Sequence, residues 1–226
     1  MITQIYTAQS PEEAVRLADL GVDHVGITPS SIGLPGEIDH AIAARCVEAL
    51  RGRAVSVALS VSSEVGEILA MVREVRPDIL QLCGDPGVVT PAAVSELRPR
   101  LGGVKIMQAI AMTGPEAVEA ARRYAQVADY LILDSVTTEV PGVGAAGTTH
   151  DWTISARIVR EVEIPVVLAG GLSPDNVAEA IRVVRPAGVD SLTRTNRFLP
   201  SGGFEKDLDL IAAFVRASKE SAELTS

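Results

Sequence analysis

Short, almost wholly apolar runs alternate along the chain with segments whose apolar residues recur every three to four positions. Runs at 2–6, 23–28, 54–60, 79–82, 104–111, 130–133, 165–168 and 188–192 read as strands. Segments at 39–50, 64–75, 91–97, 115–126, 151–160 and 174–184 read as helices. A further helix opens at Ser10, and a last one carries Leu208, Ile211, Ala212 and Val215. The ends are chemically marked. Ser10 is a capping residue, Pro11 suits the first helical position, and Gly21 ends that helix. Val177, Ile181 and Val184 share one helical face. Strands that are apolar on both faces and separated by helices imply a parallel sheet covered from outside.

Eight strand–helix units leave no segment large enough for a second domain. The expected fold is a single α/β domain over residues 1–226, a (β/α)8 or TIM barrel, with an open doubly wound sheet as the alternative. Active sites of such barrels sit at the C-terminal ends of the strands. That rule selects which residues matter.

Composition narrows the partners. Hydrophobic residues are 47% and charged residues 22%, which excludes a disordered chain. The net charge of −9 and the lack of a basic stripe argue against nucleic acid, as do 3% aromatics against a base-stacking platform. An anionic substrate must therefore be held by local groups. Two cysteines, Cys46 and Cys83, are too few for a disulfide framework and fit a reducing cytoplasm. No secretory leader and no apolar run approaching the ~20 residues of a membrane span is visible. A cytoplasmic monomer or homodimer is expected, with a small phosphorylated molecule as its partner and neither membrane nor nucleic acid. The three histidines share no metal-ligand spacing, and no phosphate loop with Lys or dinucleotide fingerprint occurs. Neither metal nor other cofactor is expected.

Leu168-Ala169-Gly170-Gly171-Leu172-Ser173-Pro174-Asp175-Asn176-Val177 is a strand, two glycines, a capping serine and a helix start. Glycines let backbone approach a ligand, and the loops after strands seven and eight are the usual phosphate site of a barrel. After the eighth strand, Arg194 offers forked donors for phosphate or carboxylate, and Thr193 and Thr195 add hydroxyls. Arg197 is a surface residue or a second such group. Asp134 ends the sixth strand before a long Gly-rich loop, suited to general acid or base work. That loop, with Gly142, Gly144 and Gly147, has the composition of a lid. Asp151 reads as a helix cap, and His150 faces either the site or solvent. Cys83, at the end of strand four, is a proton-transfer group or nucleophile if its thiol is activated, and a small buried hydrophobe otherwise. Cys46 and His24 read as packing residues.

At these residues the chain resembles phosphoribosylanthranilate isomerase, an enzyme family of tryptophan biosynthesis, over nearly its whole length. The stretch from Ala169 to Val177 resembles the family's phosphate segment. Gln81-Leu82-Cys83-Gly84 resembles its Gln-Leu-His-Gly, Leu133-Asp134-Ser135 the segment bearing its catalytic acid, and Gly144 to Trp152 its Gly-rich loop. The resemblance implies an Amadori rearrangement of a phosphoribosyl amine, in which an acid assists ring opening and a base abstracts a proton. The departures are specific. The family's Lys-Ile-Cys-Gly, whose Cys is the base, is here Gln4-Ile5-Tyr6-Thr7. The Arg that holds the anthranilate carboxylate has no counterpart in Pro29-Ser30-Ser31-Ile32-Gly33. Thr148 replaces a loop lysine, and Leu192-Thr193-Arg194-Thr195-Asn196 replaces Ser-Ser-Gly-Val-Glu.

The combined expectation is a phosphosugar isomerase with altered substrate specificity. Its proton-transfer candidates are Asp134, Cys83 and Tyr6, and its substrate and phosphate candidates are Gly170, Gly171, Arg194, Thr193 and Thr148. An aldolase, lyase or epimerase on the same scaffold and a non-catalytic phosphometabolite-binding paralogue are the alternatives. Schiff-base chemistry is disfavoured because Lys105, the one lysine in a predicted strand, lies at the wrong end.

Overall fold

A computed structural model describes residues 1–136, 142–144 and 147–223. Eight parallel strands close into a barrel in sequence order: β1 (Ile2–Ile5), β2 (His24–Ile27), β3 (Val55–Ser60), β4 (Ile79–Leu82), β5 (Lys105–Ala111), β6 (Tyr130–Asp134), β7 (Val166–Leu168) and β8 (Gly188–Ser191), with β8 pairing back to β1. Around them run α1 (Pro11–Asp19), α2 (His40–Leu50), α3 (Val65–Val75), α4 (Pro91–Leu97), α5 (Ala117–Tyr124), α6 (Trp152–Glu161), α7 (Val177–Val184) and α8 (Leu208–Glu223). The closed barrel, not the open sheet, is the architecture. Among the described residues no helix is long and apolar enough to cross a membrane.

The apolar pattern divides into two packed layers. Outward residues such as Ile5, Val25, Leu80, Ile106, Leu131 and Val189 meet the helices. Inward residues Val57, Ile79, Met107, Ile132 and Val167 fill the bore. Polar side chains also enter the bore, Gln4, His24, Gln81 and Asp190 among them. Gln4 pairs in register with His24 on one side and Asp190 on the other, and Gln81 lies opposite on β4. Gln4 Nε2 donates to Gln81 Oε1 at 3.3 Å, and Gln4 Oε1 lies 3.2 Å from His24 Nδ1. His24 is thus a packing residue of the bore, edge-on to Tyr130.

At the N-terminal end one device occurs three times. Asp23, just before β2, accepts from Thr3 N and Oγ1 at 2.9 and 2.8 Å. Asp78, just before β4, accepts from Ser56 N and Oγ at 2.8 and 2.7 Å. Asp129, just before β6, accepts from Ile106 N at 2.8 Å and from Arg98 at 3.0 Å. Each carboxylate satisfies the start of the preceding strand, where the ladder leaves an amide without a partner.

Two features depart from the sequence reading. A hairpin, β9 (Asn196–Phe198) and β10 (Phe204–Lys206), lies between β8 and α8. Its three-residue strands are too short for a periodic signal. The seventh helix starts at Val177, not at 174. Asn176 turns its side chain back instead: Oδ1 accepts from Ser173 N at 2.8 Å, and Nδ2 donates to the Gly171 carbonyl at 3.1 Å. An amide spent on its own loop competes with helix initiation.

Candidate active site

The C-terminal mouth of the barrel holds two adjoining hollows. The larger is walled by Leu34, Pro35, Leu59, Val61 and Val143, with Tyr6, Thr28 and Gln81 at its base. The smaller is walled by Gly147, Gly170, Gly171, Ser191, Thr193 and Arg194. Asp134, Asp190 and Leu192 line both, so the two carboxyls stand where the hollows meet.

The smaller hollow has backbone walls. Gly170 and Gly171 both adopt positive φ, +85° and +62°. A Cβ on Gly171 would stand 2.8 Å from the Thr148 carbonyl carbon, and one on Gly170 would stand 2.8 Å from Ser135 Oγ. Conformation and crowding both demand glycine here. Arg194 follows β8 in a single 3-10 turn, Thr193–Thr195, and its guanidinium donates to the Gly147 carbonyl at 3.4 Å. Phosphate oxygens placed here would meet backbone and a forked cation.

The end of β6 is enclosed by its own loop. Gly144 N donates to the Ser135 carbonyl at 3.1 Å, and a Cβ on Gly144 would stand 2.7 Å from Asp134 Oδ2. Residues 137–141 and 145–146 of this Gly-rich stretch, a part of the expected lid, lie outside the described residues. The same loop covers Cys83: Val143 N donates to the Cys83 carbonyl at 3.0 Å, and Gly142 packs on it. The thiol is 1% exposed, lines neither hollow and accepts from Gln81 Nε2 at 3.2 Å. Burial pushes it up to about 12, with the Asp134 and Asp190 charges adding and the Gln81 hydrogen bond opposing. A thiol so held is not a base at neutral pH.

Tyr6 reaches the larger hollow. Its ring lies on Gly26, where a Cβ would come within 2.3 Å of the ring carbons, and its hydroxyl donates to Gln81 Oε1 at 3.0 Å. Burial, then the charges of Cys83 and Asp190, push its phenol well above the ordinary value. It is a hydrogen-bond donor and a wall.

Of the remaining expected residues, Thr193 joins Arg194 in the smaller hollow, whereas Thr148 lines a neighbouring hollow with Ser135 and His150. The part of Thr148 engaged is its carbonyl, which accepts from Ser135 Oγ at 2.7 Å. His150 settles between Ser155 Oγ at 2.9 Å and Ser135 Oγ at 3.3 Å, tying the loop to α6. Burial pushes its imidazole down to about 4, so it is neutral. Asp151 caps α6 through Thr153 N at 2.8 Å.

Two buried ionisable groups were not singled out from the sequence. Asp190 is 7% exposed, and its Oδ1 has no hydrogen-bond partner in the protein. Burial and then the Asp134 charge push its carboxyl up to about 8, against a hydrogen bond from Gln4 and the charge of Lys206. Lys206, on β10, donates to the Tyr6 carbonyl and to Asn196 Oδ1 at 2.7 Å. It corrects the view that Lys105 is the only strand lysine. Burial pulls its ammonium down to about 7, with Glu13 and Asp190 opposing. The available signal for Asp190 was its place: an acid within the eighth strand of a predicted barrel faces either the bore or the helices, and both are poor solvents for a charge.

Comparison with known proteins follows this geometry. The family model described as N-(5'-phosphoribosyl)anthranilate (PRA) isomerase matches residues 3–217. The N-(5'-phosphoribosyl)anthranilate isomerase of Methanocella arvoryzae is 33% identical over 215 residues, covering 91% of this chain and 92% of that one. The phosphoribosyl anthranilate isomerase of Thermococcus kodakaraensis superposes with a TM-score of 0.76 at 28% identity, over 96% and 97% of the two chains. A phosphoribosyl anthranilate isomerase solved with reduced 1-(o-carboxyphenylamino)-1-deoxyribulose 5-phosphate superposes with a TM-score of 0.75 at 25% identity, over 97% of this chain and all of that one. The chain belongs to the phosphoribosylanthranilate isomerase family of intramolecular isomerases.

Proposed function

We propose that this protein isomerises a phosphorylated sugar amine whose nitrogen substituent is uncharged. The observation that carries the reading is the junction of the two hollows at Asp134. A phosphate in the smaller hollow, held by Gly170, Gly171, Thr193 and Arg194, sets the sugar carbons beside that carboxyl. The nitrogen substituent then falls in the larger hollow. Proton transfer by Asp134 at that position is worth about 10²–10⁴ in rate for a positioned general acid or base.

The larger hollow argues for the substituent. Its described lining has six apolar walls, one phenol, one amide, one hydroxyl and two carboxyls, and no Lys or Arg. A carboxylate on the substrate would be desolvated there with no cation and would face two acids. An uncharged aryl or alkyl group matches the walls. Tyr6 and Cys83 serve as wall and packing in this reading, not as the base.

The test is a substrate comparison. Phosphoribosyl amines are generated from ribose 5-phosphate with aniline, an alkylamine or anthranilate, and amino-ketose formation is followed. The uncharged amines are expected to show at least ~10-fold higher kcat/KM than anthranilate, the size of one poorly compensated charge. Preference for anthranilate would overturn the altered specificity, and turnover of none of them would overturn the isomerase reading. Arg194→Ala is expected to raise KM for every phosphorylated amine about tenfold with little change in kcat, as loss of a uniform binding contact does.

A further inference from the structure

We infer that Asp190 is the proton donor of this site and Asp134 the proton acceptor, a two-carboxyl pair that takes the place of the family's cysteine base. The inference rests on the isomerase reading above and names the partner that Asp134 needs.

Three observations carry it. Both carboxyls line both hollows, so each can reach a sugar seated across the junction. Their surroundings differ. Asp190 lies inside the strand and is 7% exposed, whereas Asp134 ends its strand and is only half-buried. Asp190 Oδ1 is buried and without a partner in the protein. A buried carboxylate with an unsolvated oxygen is costly, while a buried carboxylic acid beside a second carboxylate is the ordinary solution. The groups facing Asp190 are consistent with this. Gln4 on β1 is neutral, Tyr6 and Cys83 hold their protons, and Lys206 on β10 is already engaged with the Tyr6 carbonyl and Asn196. Burial, and after it the charge of Asp134 on β6, keeps Asp190 neutral.

The proton inventory closes. Asp190 gives its proton to the furanose ring oxygen as the C1–O bond breaks and the nitrogen lone pair forms C=N⁺. Asp134 takes the C2 proton, and that electron pair forms C1=C2 while nitrogen regains its lone pair. In the tautomerisation that follows, the enol O2 proton returns to Asp190 and the proton on Asp134 goes to C1. Both carboxyls end as they began, and the substrate is isomerised with no other reactant.

Infrared difference spectroscopy of the resting protein, titrated through neutral to alkaline pH, tests the protonation directly. The unaltered protein is expected to show a protonated-carboxyl band that disappears near pH 8. Asp190→Asn removes that band. Asp134→Asn keeps it and lowers its midpoint, because the neighbouring charge is gone. In turnover of the phosphoribosyl amine of aniline, both variants are expected to fall about 10³-fold, within the usual range for a general acid or base. A band that survives Asp190→Asn, a band lost in Asp134→Asn, or Asp190→Asn turnover within tenfold of the unaltered protein overturns the assignment. If Asp190→Asn does not fold, the Asp134→Asn spectrum alone decides. Failure of the unaltered protein to turn over any amine, with the band retained in Asp134→Asn, removes the isomerase reading and leaves the resting protonation intact. The two failures are therefore distinct.

Discussion

The two ends of this barrel use the same side chain in opposite ways. At the N-terminal end, Asp23, Asp78 and Asp129 each accept at least two hydrogen bonds from strand starts or from Arg98. For Asp129, burial acts to raise the carboxyl, but the Ile106 amide and Arg98 outweigh it and hold it below the ordinary range. At the C-terminal end, Asp190 is more deeply buried, keeps one oxygen unpartnered and is pushed up. A satisfied carboxylate ties strands together. An unsatisfied one is held at a cost to stability and is available for proton transfer. The difference separates carboxylates that brace the strand starts from the carboxyl to which the proposed reaction assigns a proton.

The largest expected effect falls at the mouth. Asp134→Asn keeps the size and shape of the side chain but removes its capacity to take a proton. Turnover of phosphoribosyl-aniline is expected to fall about 10³-fold, with affinity for inorganic phosphate unchanged within about twofold. A loss of less than tenfold would put the chemistry elsewhere and erase the contrast between the two ends. The next effect falls at the base. Asp78→Ala strips partners from Ser56 N and Oγ, both fully buried. The loss is expected to be about 3 kcal/mol in denaturant unfolding, from two buried donors left unmet. Turnover below the melting range stays intact. A variant with native stability and damaged turnover would reverse the roles assigned to the two ends.

How far each end was legible in the sequence follows the same division. The barrel was legible because eight apolar runs and their intervening amphipathic segments are strong periodic signals, and nearly all of them became elements. Asp134 and the Gly170–Gly171 turn were legible because they stand at strand ends, where a barrel rule gives them meaning. Asp190 was not, because a lone acid inside an apolar run looks like a boundary defect until the register with Gln4 and the absence of a partner are seen. Cys83 was legible only as two alternatives, a proton-transfer group or a small buried hydrophobe. Its position beside a family motif suggested chemistry, whereas the Gly142–Gly144 fold-back that covers it has no local sequence signature. Lys206 was invisible because a three-residue antiparallel strand leaves no period to detect, and only closure of the hairpin brings it under Tyr6.

A smaller effect sharpens the contrast within the mouth. Gly171→Ala places a Cβ 2.8 Å from Thr148 and forces a positive φ on an L-residue. Strain of this kind costs about 1–2 kcal/mol. Because the displaced segment walls the smaller hollow, KM for phosphorylated amines is expected to rise about tenfold while kcat changes less than threefold. Equal loss in kcat would mean that the glycine turn also positions the carboxyls, and the phosphate hollow would not be a separable part.

The last effect is a gain in stability with no part in turnover, and it follows from the sign of the Asp190 shift. In the unfolded chain this carboxyl titrates near its ordinary value of about 4. In the folded protein it keeps its proton until about pH 8. Between those values the native state binds more protons than the unfolded state, so this group lowers stability progressively as pH rises from about 4 to about 8. Asparagine, which is neutral throughout, carries no such slope. Asp190→Asn is therefore expected to melt slightly above the unaltered protein at pH 5 and by a clearly larger margin at pH 8, because the penalty it removes grows by up to ~1.4 kcal/mol per pH unit between those values. Asp129→Asn, on a carboxyl held low, is expected to do the reverse: it lowers Tm at pH 8, and the deficit narrows only as acid protonates the aspartate it replaced. If both variants moved Tm in the same direction at pH 8, the two ends would differ in position alone and not in what burial does to their charge.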